Sequence, residues 1–242
     1  MNLLSKVTII YIGVIVFLAL CSFSIQINIE RLSVDFVVKT LKDGKSINMK
    51  GELYYAASTN KMITHFSSPI EQIVVTNSVG QFKSYDPKLN VVVQDENKDY
   101  SSQLSFVYSF MSSKTQDMGL QALGYQLKDS RVEGKRIITI WQPKTIMQGI
   151  SSKVELVHEN RQPIYMCFFN NKQKPEQKVF YSDYQKVGEI FFPMTITEFQ
   201  YFHKGDSIIT KRVYSDTKVN NEVSDDYFNF KIPDNAKVVS KQ

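Results

Sequence analysis

The sequence predicts a mainly β fold, an antiparallel meander of about 11 strands that is large enough to curl. Three observations predict it. Apolar and polar residues alternate with period two in one segment after another, the pattern of half-exposed strands. Short runs of turn residues separate those segments. Only one stretch, residues 101–123, carries its apolar side chains at helical spacing.

The elements follow in order. From Arg31, the residues Leu32, Val34, Phe36 and Val38 share one face, while Ser33, Asp35, Val37 and Lys39 share the other. Asp43-Gly44 then supplies a tight turn, because glycine tolerates positive φ, and a second strand runs over residues 46–56. Residues 61–66 alternate again and place Met62, Thr64 and Phe66 together. Ile73 with Val75, Phe82 with Tyr85, and residues 89–94 add three more strands. In residues 101–123, Leu104, Val107, Tyr108 and Met111 form the apolar stripe of a helix, which Phe106 and Phe110 widen. Gly119 weakens any continuation of that helix, at about 1 kcal/mol relative to alanine. Such a helix must lie over a sheet face or cap an opening. Strands resume over residues 125–129, 136–141, 153–158, 163–170 and 177–184. Ile190, Phe192, Met194 and Ile196 alternate in the next one, where Pro193 points to an edge or a bulge because proline cannot donate to a ladder. Gly205-Asp206 turns into residues 207–214, and a last strand is expected over residues 227–231, ended by Pro233.

The N-terminus has the build of a secretory signal: Lys6, a nearly charge-free apolar run from Val7 to Leu20, then small residues. Ser22 and Ser24 stand at the −3 and −1 positions for cleavage after Ser24, so residues 1–24 are expected to be a signal peptide and residues 25–242 a single domain. In a competing reading, Leu18-Ala19-Leu20-Cys21 is a lipobox and Cys21 is the lipidation site that tethers the protein to a membrane, although Leu20 stands where a small residue is usual. A third reading, an uncleaved anchor, meets an apolar run shorter than the roughly 20 residues of a spanning helix. The chain is therefore expected to be exported, either free or as a membrane-anchored lipoprotein. With 43% hydrophobic and 12% aromatic residues over 242, the exported part can bury one sizeable core, and no linker or repeat divides it.

Chemistry is sparse. His65, His158 and His203 are far apart, with no HExxH and no paired cysteines, so no metal is expected. No GxSxG elbow and no phosphate-binding glycine loop occurs, so no catalytic residue and no cofactor are assigned. The pairs Asp95-Glu96 and Asp225-Asp226 read as solvated turns. Cys167 sits among Tyr165, Met166, Phe168 and Phe169 and reads as a small buried hydrophobe. The net charge of +5 is spread over dispersed lysines, which argues against a nucleic-acid partner. What remains is apolar surface: a sheet with few helices either closes on a filled core or leaves a concave face suited to a hydrocarbon ligand.

Residues 51–87, GELYYAASTNKMITHFSSPIEQIVVTNSVGQFKSYDP, run through four strands in a distinctive order: a glycine-opened strand ending in Tyr54-Tyr55, a strand closing on a serine pair and Pro69, an aliphatic strand, and one ending in Tyr85-Asp86-Pro87. That order, with the ending Phe228-Asn229-Phe230-Lys231-Ile232-Pro233, resembles the LolA/LolB-type lipoprotein carriers. The resemblance implies an unclosed antiparallel barrel with a small helical lid over a hydrophobic cavity. It implies Leu53, Tyr55, Met62, Thr64 and Phe66 facing the cavity, and Leu104, Tyr108 and Met111 lining the lid. It also implies a non-enzymatic periplasmic carrier or chaperone that binds acyl chains of lipoproteins, with an inner-membrane release complex and an outer-membrane acceptor as partners. A sensor or receptor of the same fold, binding lipids or lipoproteins without transporting them, is the alternative. The chain departs from the family where an arginine latch is common, having Ala56-Ala57-Ser58 there, and where Thr64 and Lys83 replace aromatics. The turn glycine before the Phe82 strand is displaced to Gly80, and the N-terminal helix is shortened or missing.

Overall fold

A computed structural model describes residues 29–145, 151–202 and 205–240. The expected signal segment with Cys21 lies outside the described residues, as does His203. The fold is mainly β. Among the described residues, 14 strands form one unclosed sheet, more than the 11 expected.

The sheet consists of two meanders joined at their inner strands. The first contains β1 (Arg31–Lys42), β2 (Lys45–Ala56), β3 (Lys61–Ser68), β4 (Gln72–Thr76), β5 (Gln81–Asp86) and β6 (Val91–Glu96). The second contains β7 (Tyr125–Glu133), β8 (Arg136–Pro143), β9 (Lys153–Glu159), β10 (Gln162–Phe169), β11 (Pro175–Val187), β12 (Ile190–Tyr201) and β13 (Ser207–Val219). Antiparallel pairing of β1 with β13, from Leu32 opposite Val219 to Lys42 opposite Ile208, welds the two together. A final strand, β14 (Lys237–Ser240), lies parallel to β6, so that β14 and β7 form the free edges. The β1–β2 hairpin turns at Asp43 and Gly44, both with positive φ (51° and 72°), as the sequence pattern requires.

Gly51 shows why a side chain is excluded at one point of this sheet. It sits at a register shift between β2 and β3, and a Cβ there would lie 2.1 Å from the His65 carbonyl oxygen and 2.9 Å from the Phe36 ring. The close approach lets the strand bend over the Phe36 and Phe66 rings, which meet edge-on at 5.5 Å. Pro193 falls in β12 before Thr195, the first residue paired with β13, so its missing N–H interrupts no bond on that side.

The inner face carries the main core, with Leu32, Val34, Phe36, Leu53, Tyr55, Leu156, Phe192 and Ile196 buried together. A second cluster covers the outer face of the first meander: Tyr54, Ile63, Ile73, Tyr85 and Val92 lie under Tyr227, Phe228, Phe230 and Ile232. The strand expected over residues 227–231 is not formed. That segment is a turn followed by irregular chain, held by Asn229 N–H donating to Asp225 O and Phe230 N–H to Tyr227 O. Its aromatics are spent on packing across the sheet, Tyr227 at 4.7 Å from Tyr54 and Phe230 at 6.0 Å from Tyr85, instead of extending a ladder.

Candidate functional site: an apolar cavity beneath the lid

The connection between β6 and β7 crosses the inner face. It is broken where one helix was expected: two 3-10 turns (Lys98–Tyr100 and Ser102–Leu104), a helix α1 of six residues (Phe106–Met111), and turns up to β7. Serines account for this. Ser105 caps α1 by accepting from Tyr108 N–H at 3.2 Å, Ser112 returns its hydroxyl to the Tyr108 carbonyl at 2.6 Å, and Ser113 takes positive φ. Each offers the backbone a partner that competes with a longer helix.

The lid is pinned by its aromatic underside. Phe110 is 1% exposed, and its ring meets Phe192 at 5.6 Å, Tyr181 at 6.0 Å and Tyr184 at 6.2 Å. Phe106 meets Tyr214 at 5.8 Å. Polar ties hold both ends. Ser102 Oγ donates to Asn60 O at 2.5 Å while Tyr55 donates to Asn60 Oδ1 at 2.9 Å, so the β2–β3 turn grips the lid without an arginine. At the far end His158 Nε2–H donates to Thr115 O at 2.7 Å. Burial lowers the His158 pKa from its ordinary 6.5, and the hydrogen bond to the carbonyl only partly offsets that; the ring is neutral at pH 7.

Between this segment and the second meander lies a cavity of about 320 Å³. Leu104, Phe106, Met118, Leu120 and Leu123 line it from the lid, and Met166, Phe168, Val179 and Ile196 line it from the sheet. One wall is polar: Arg212 donates to Glu198 at 2.9 Å, and Gln177 donates to the other carboxylate oxygen at 2.8 Å. Tyr181 beside them has its pKa raised, first by burial and then by the Glu198 charge. The pair thus satisfies its own charges, and the remaining wall is hydrocarbon.

The residues singled out in the sequence fall into two places. Leu104 borders the cavity and is 46% exposed. Tyr108 is half-buried, with its hydroxyl accepting from Lys114 at 3.0 Å, and Met111 is buried in the main core. Leu53, Tyr55, Met62, Thr64 and Phe66 share the inner face through the pairs Leu53–Thr64 and Tyr55–Met62, with Phe66 opposite Gly51. All but Thr64 pack into the main core with Val107 and Phe110. Burial and the nearby Tyr108 push the Tyr55 pKa up to about 12. They stand beside the cavity, not along its lining. Sequence reasoning passed over Met166, Val179, Ile196, Glu198 and Arg212. One signal was present: Glu198 continues the apolar row Phe192, Met194, Ile196 in phase, and a charge in phase with an apolar face marks a site that needs one.

Among the described residues no group of three or more His, Cys, Asp or Glu could hold a metal ion. Cys167 is a buried free thiol whose pKa burial raises, which makes it a packing residue.

No protein-family model and no curated protein matches the sequence. Solved structures do match the fold. A LolA superfamily protein from Nitrosomonas europaea is 12% identical, with a TM-score of 0.54 over 79% of this chain and 87% of that one. A DUF1329 family protein from Desulfovibrio piger is 17% identical, with a TM-score of 0.58 over 84% and 91%. A candidate outer membrane lipoprotein-sorting protein domain from Vibrio parahaemolyticus is 11% identical, with a TM-score of 0.56 over 83% and 89%. The resemblance drawn from residues 51–87 is thus matched by the whole architecture: this chain has a LolA-like fold, an unclosed sheet curled around a lidded inner face.

Proposed function

We propose that this protein is an exported, non-enzymatic periplasmic carrier that binds acyl chains of lipoproteins or other lipids beneath the lid and helps deliver them to the outer membrane. The observation that carries this reading is the apolar room between residues 104–123 and the inner face of β10, β11 and β12. Its volume of about 320 Å³ stands at the lower end of ligand pockets, which span roughly 300 to 1,000 Å³. Each methylene that enters gains about 0.8 kcal/mol, so a chain can bind firmly with no directional bond. The lid is the moving part. Displacing it would join the cavity to the wall of Leu53, Tyr55, Met62, Thr64 and Phe66, with Leu104, Tyr108 and Met111 following the ligand from above. Acyl chains would arrive from an inner-membrane release complex and leave for an outer-membrane acceptor of higher affinity. The LolA-like fold supports this reading.

The test is to isolate the protein from its envelope, extract it and identify bound lipid, and to measure uptake of a fluorescent acyl probe. Recovered acyl lipid together with probe uptake is expected. Leu123→Glu, at a position 46% exposed on the cavity rim, is expected to lower uptake at least tenfold with the fold intact. Met62→Glu is expected to do the same through the adjoining wall. No recovered lipid and no uptake would overturn the reading, and uptake unchanged in Leu123→Glu would remove the ligand from this cavity.

A further inference from the structure

A second concavity lies on the opposite side of the sheet and plays no part in the carrier reading. It occupies about 480 Å³ on the outer face of β3, β4 and β5, where the C-terminal segment leaves the sheet partly uncovered. The register explains its floor. His65, Ile73, Tyr85 and Val92 form one cross-strand row, and Tyr227, Phe228 and Phe230 pack over that part of the sheet. In the next row outward Ile63 is fully buried, whereas Val75 is half-buried and Lys83 exposed, both lining the groove, and Lys61 stands two positions before Ile63 on the same face. Lys231 comes from the covering segment itself, beside Phe230 and Ile232.

Three lysines therefore border one groove, and no aspartate or glutamate lines it. Glu96, opposite Gln81 at the end of β6, is on the same face but outside the lining. None of the three lysines is in an ion pair among the described residues. Lys61 has a structural task, donating to Phe228 O at 3.2 Å; Lys83 and Lys231 are exposed and free of any such task among the described contacts. Like charges drawn around one concavity repel one another, and an anion with several acceptor oxygens relieves that repulsion. The apolar side of the groove, formed by Val75, Phe230 and Ile232, suits an anion with an organic substituent.

We infer that this groove binds a phosphate group, held by Lys61, Lys83 and Lys231, with the substituent of a phosphate ester lying against Phe230 and Ile232. A phosphate monoester carries about −1.5 to −2 charge at pH 7 and three strong acceptor oxygens, matching three ammonium groups. Two sources present this chemistry: the monoester headgroup of phosphatidic acid and a free phosphate monoester.

The experiment uses the purified protein in 150 mM salt, where the Debye length of about 8 Å screens distant charge. Binding is measured to vesicles of phosphatidic acid with phosphatidylcholine, to vesicles of phosphatidylcholine alone, and to glycerol phosphate by calorimetry. A double variant, Lys83→Gln with Lys231→Gln, is compared with Lys39→Gln plus Lys211→Gln, which removes two paired lysines elsewhere on the outer face. The groove variant is expected to lose at least fivefold in binding to the anionic probe, and the control variant less than twofold. Both are expected to keep the parent unfolding temperature. Glycerol phosphate that binds and competes with vesicles assigns a free compound; vesicle binding that it leaves untouched assigns a headgroup. Equal losses in the two variants would reduce the effect to diffuse surface charge and overturn the site. So would a lack of binding to every anionic probe.

Discussion

The two meanders are built from the same alternating strands and differ in what covers them. In the first, β1 to β6, the main core fills the inner side of β1 to β3, and residues 227–232 with β14 pack on the outer side or edge of β2 to β6, so that β2 and β3 are covered on both faces. The second, β7 to β13, has the lid on its inner side, and that cover fits incompletely and leaves the cavity. The difference separates tasks. The doubly covered strands β2 and β3 have little slack where they pair, as the 2.1 Å approach at Gly51 shows, and serve as the frame. In the other half the lid rests on three rings around Phe110, the Tyr214 ring at Phe106 and a histidine bond at Thr115, contacts that can be released one at a time.

The sharpest way to break this contrast is to disturb the frame. Gly51→Val forces a branched side chain against the His65 carbonyl, which cannot give way without moving β3. The expected cost exceeds about 4 kcal/mol, in the exceptional range for one substitution. Loss of the cooperative transition in circular dichroism and loss of soluble protein would record it; a near-normal unfolding temperature would mean the frame has more slack than its geometry states. Phe110→Ala addresses the other half and should cost about 3–4 kcal/mol, within the range for a buried phenylalanine. Its distinguishing mark is local. Hydrogen exchange should rise first in residues 101–124 while amides of β1 and β2 stay protected, and acyl-probe uptake should become faster. Equal deprotection of both halves would show that the lid and frame are one cooperative unit.

The same contrast decides what could be read from the sequence. Elements specified by neighbours along the chain were legible: Asp43-Gly44 called for a hairpin, and both residues have positive φ. Strands with strict alternation, such as β1 and β12, were legible because burial on one face imposes the period. Two expectations failed, one because its partners are distant in sequence and one because of competition close by. Phe228 and Phe230 alternate like a strand, yet their alternation serves Tyr54 and Tyr85, 174 and 145 residues upstream. Helical spacing over residues 101–123 was real only for Phe106–Met111, because serine side chains claimed the neighbouring backbone groups. The cavity was the least legible part. Whether an alternating face is filled or left open depends on how a lid from one segment meets strands from another, and no local pattern encodes that. Only the in-phase charge at Glu198 stood out, answered across the sheet by Arg212.

A smaller effect tests the far end of the lid through pH. The folded-state pKa of His158 lies below its ordinary 6.5, so the unfolded or lifted state binds a proton more readily. The stabilisation is fully present above that ordinary value and is lost as pH falls through the lowered one. Acid therefore loosens the lid. From pH 7.5 to pH 5 acyl-probe exchange should accelerate and amide protection factors around Thr115 should fall, while the protection factors of the frame stay unchanged. His158→Gln keeps a donor for Thr115 and removes the titration, so its exchange should be nearly flat across that window. A variant that keeps the parent slope would place the pH sensitivity elsewhere.

The smallest effect lies on the outer cover of the frame. Glu71 lies 3.7 Å from His65 Nε2, which favours the ring proton on that nitrogen and leaves Nδ1 to accept from the Tyr227 hydroxyl at 2.6 Å. Tyr227→Phe deletes this one bond and keeps the ring that stacks on Tyr54 and His65, at 4.7 and 4.9 Å. The loss should be about 1 kcal/mol, the net worth of a typical hydrogen bond. Because the cover belongs to the frame and not to the lid, acyl-probe uptake should remain at the parent level while the unfolding midpoint in urea falls slightly. A change in uptake from this distant position would show that the two faces of the first meander are coupled through β2, where Tyr54 faces the cover and its neighbour Tyr55 holds the Asn60 turn that grips the lid.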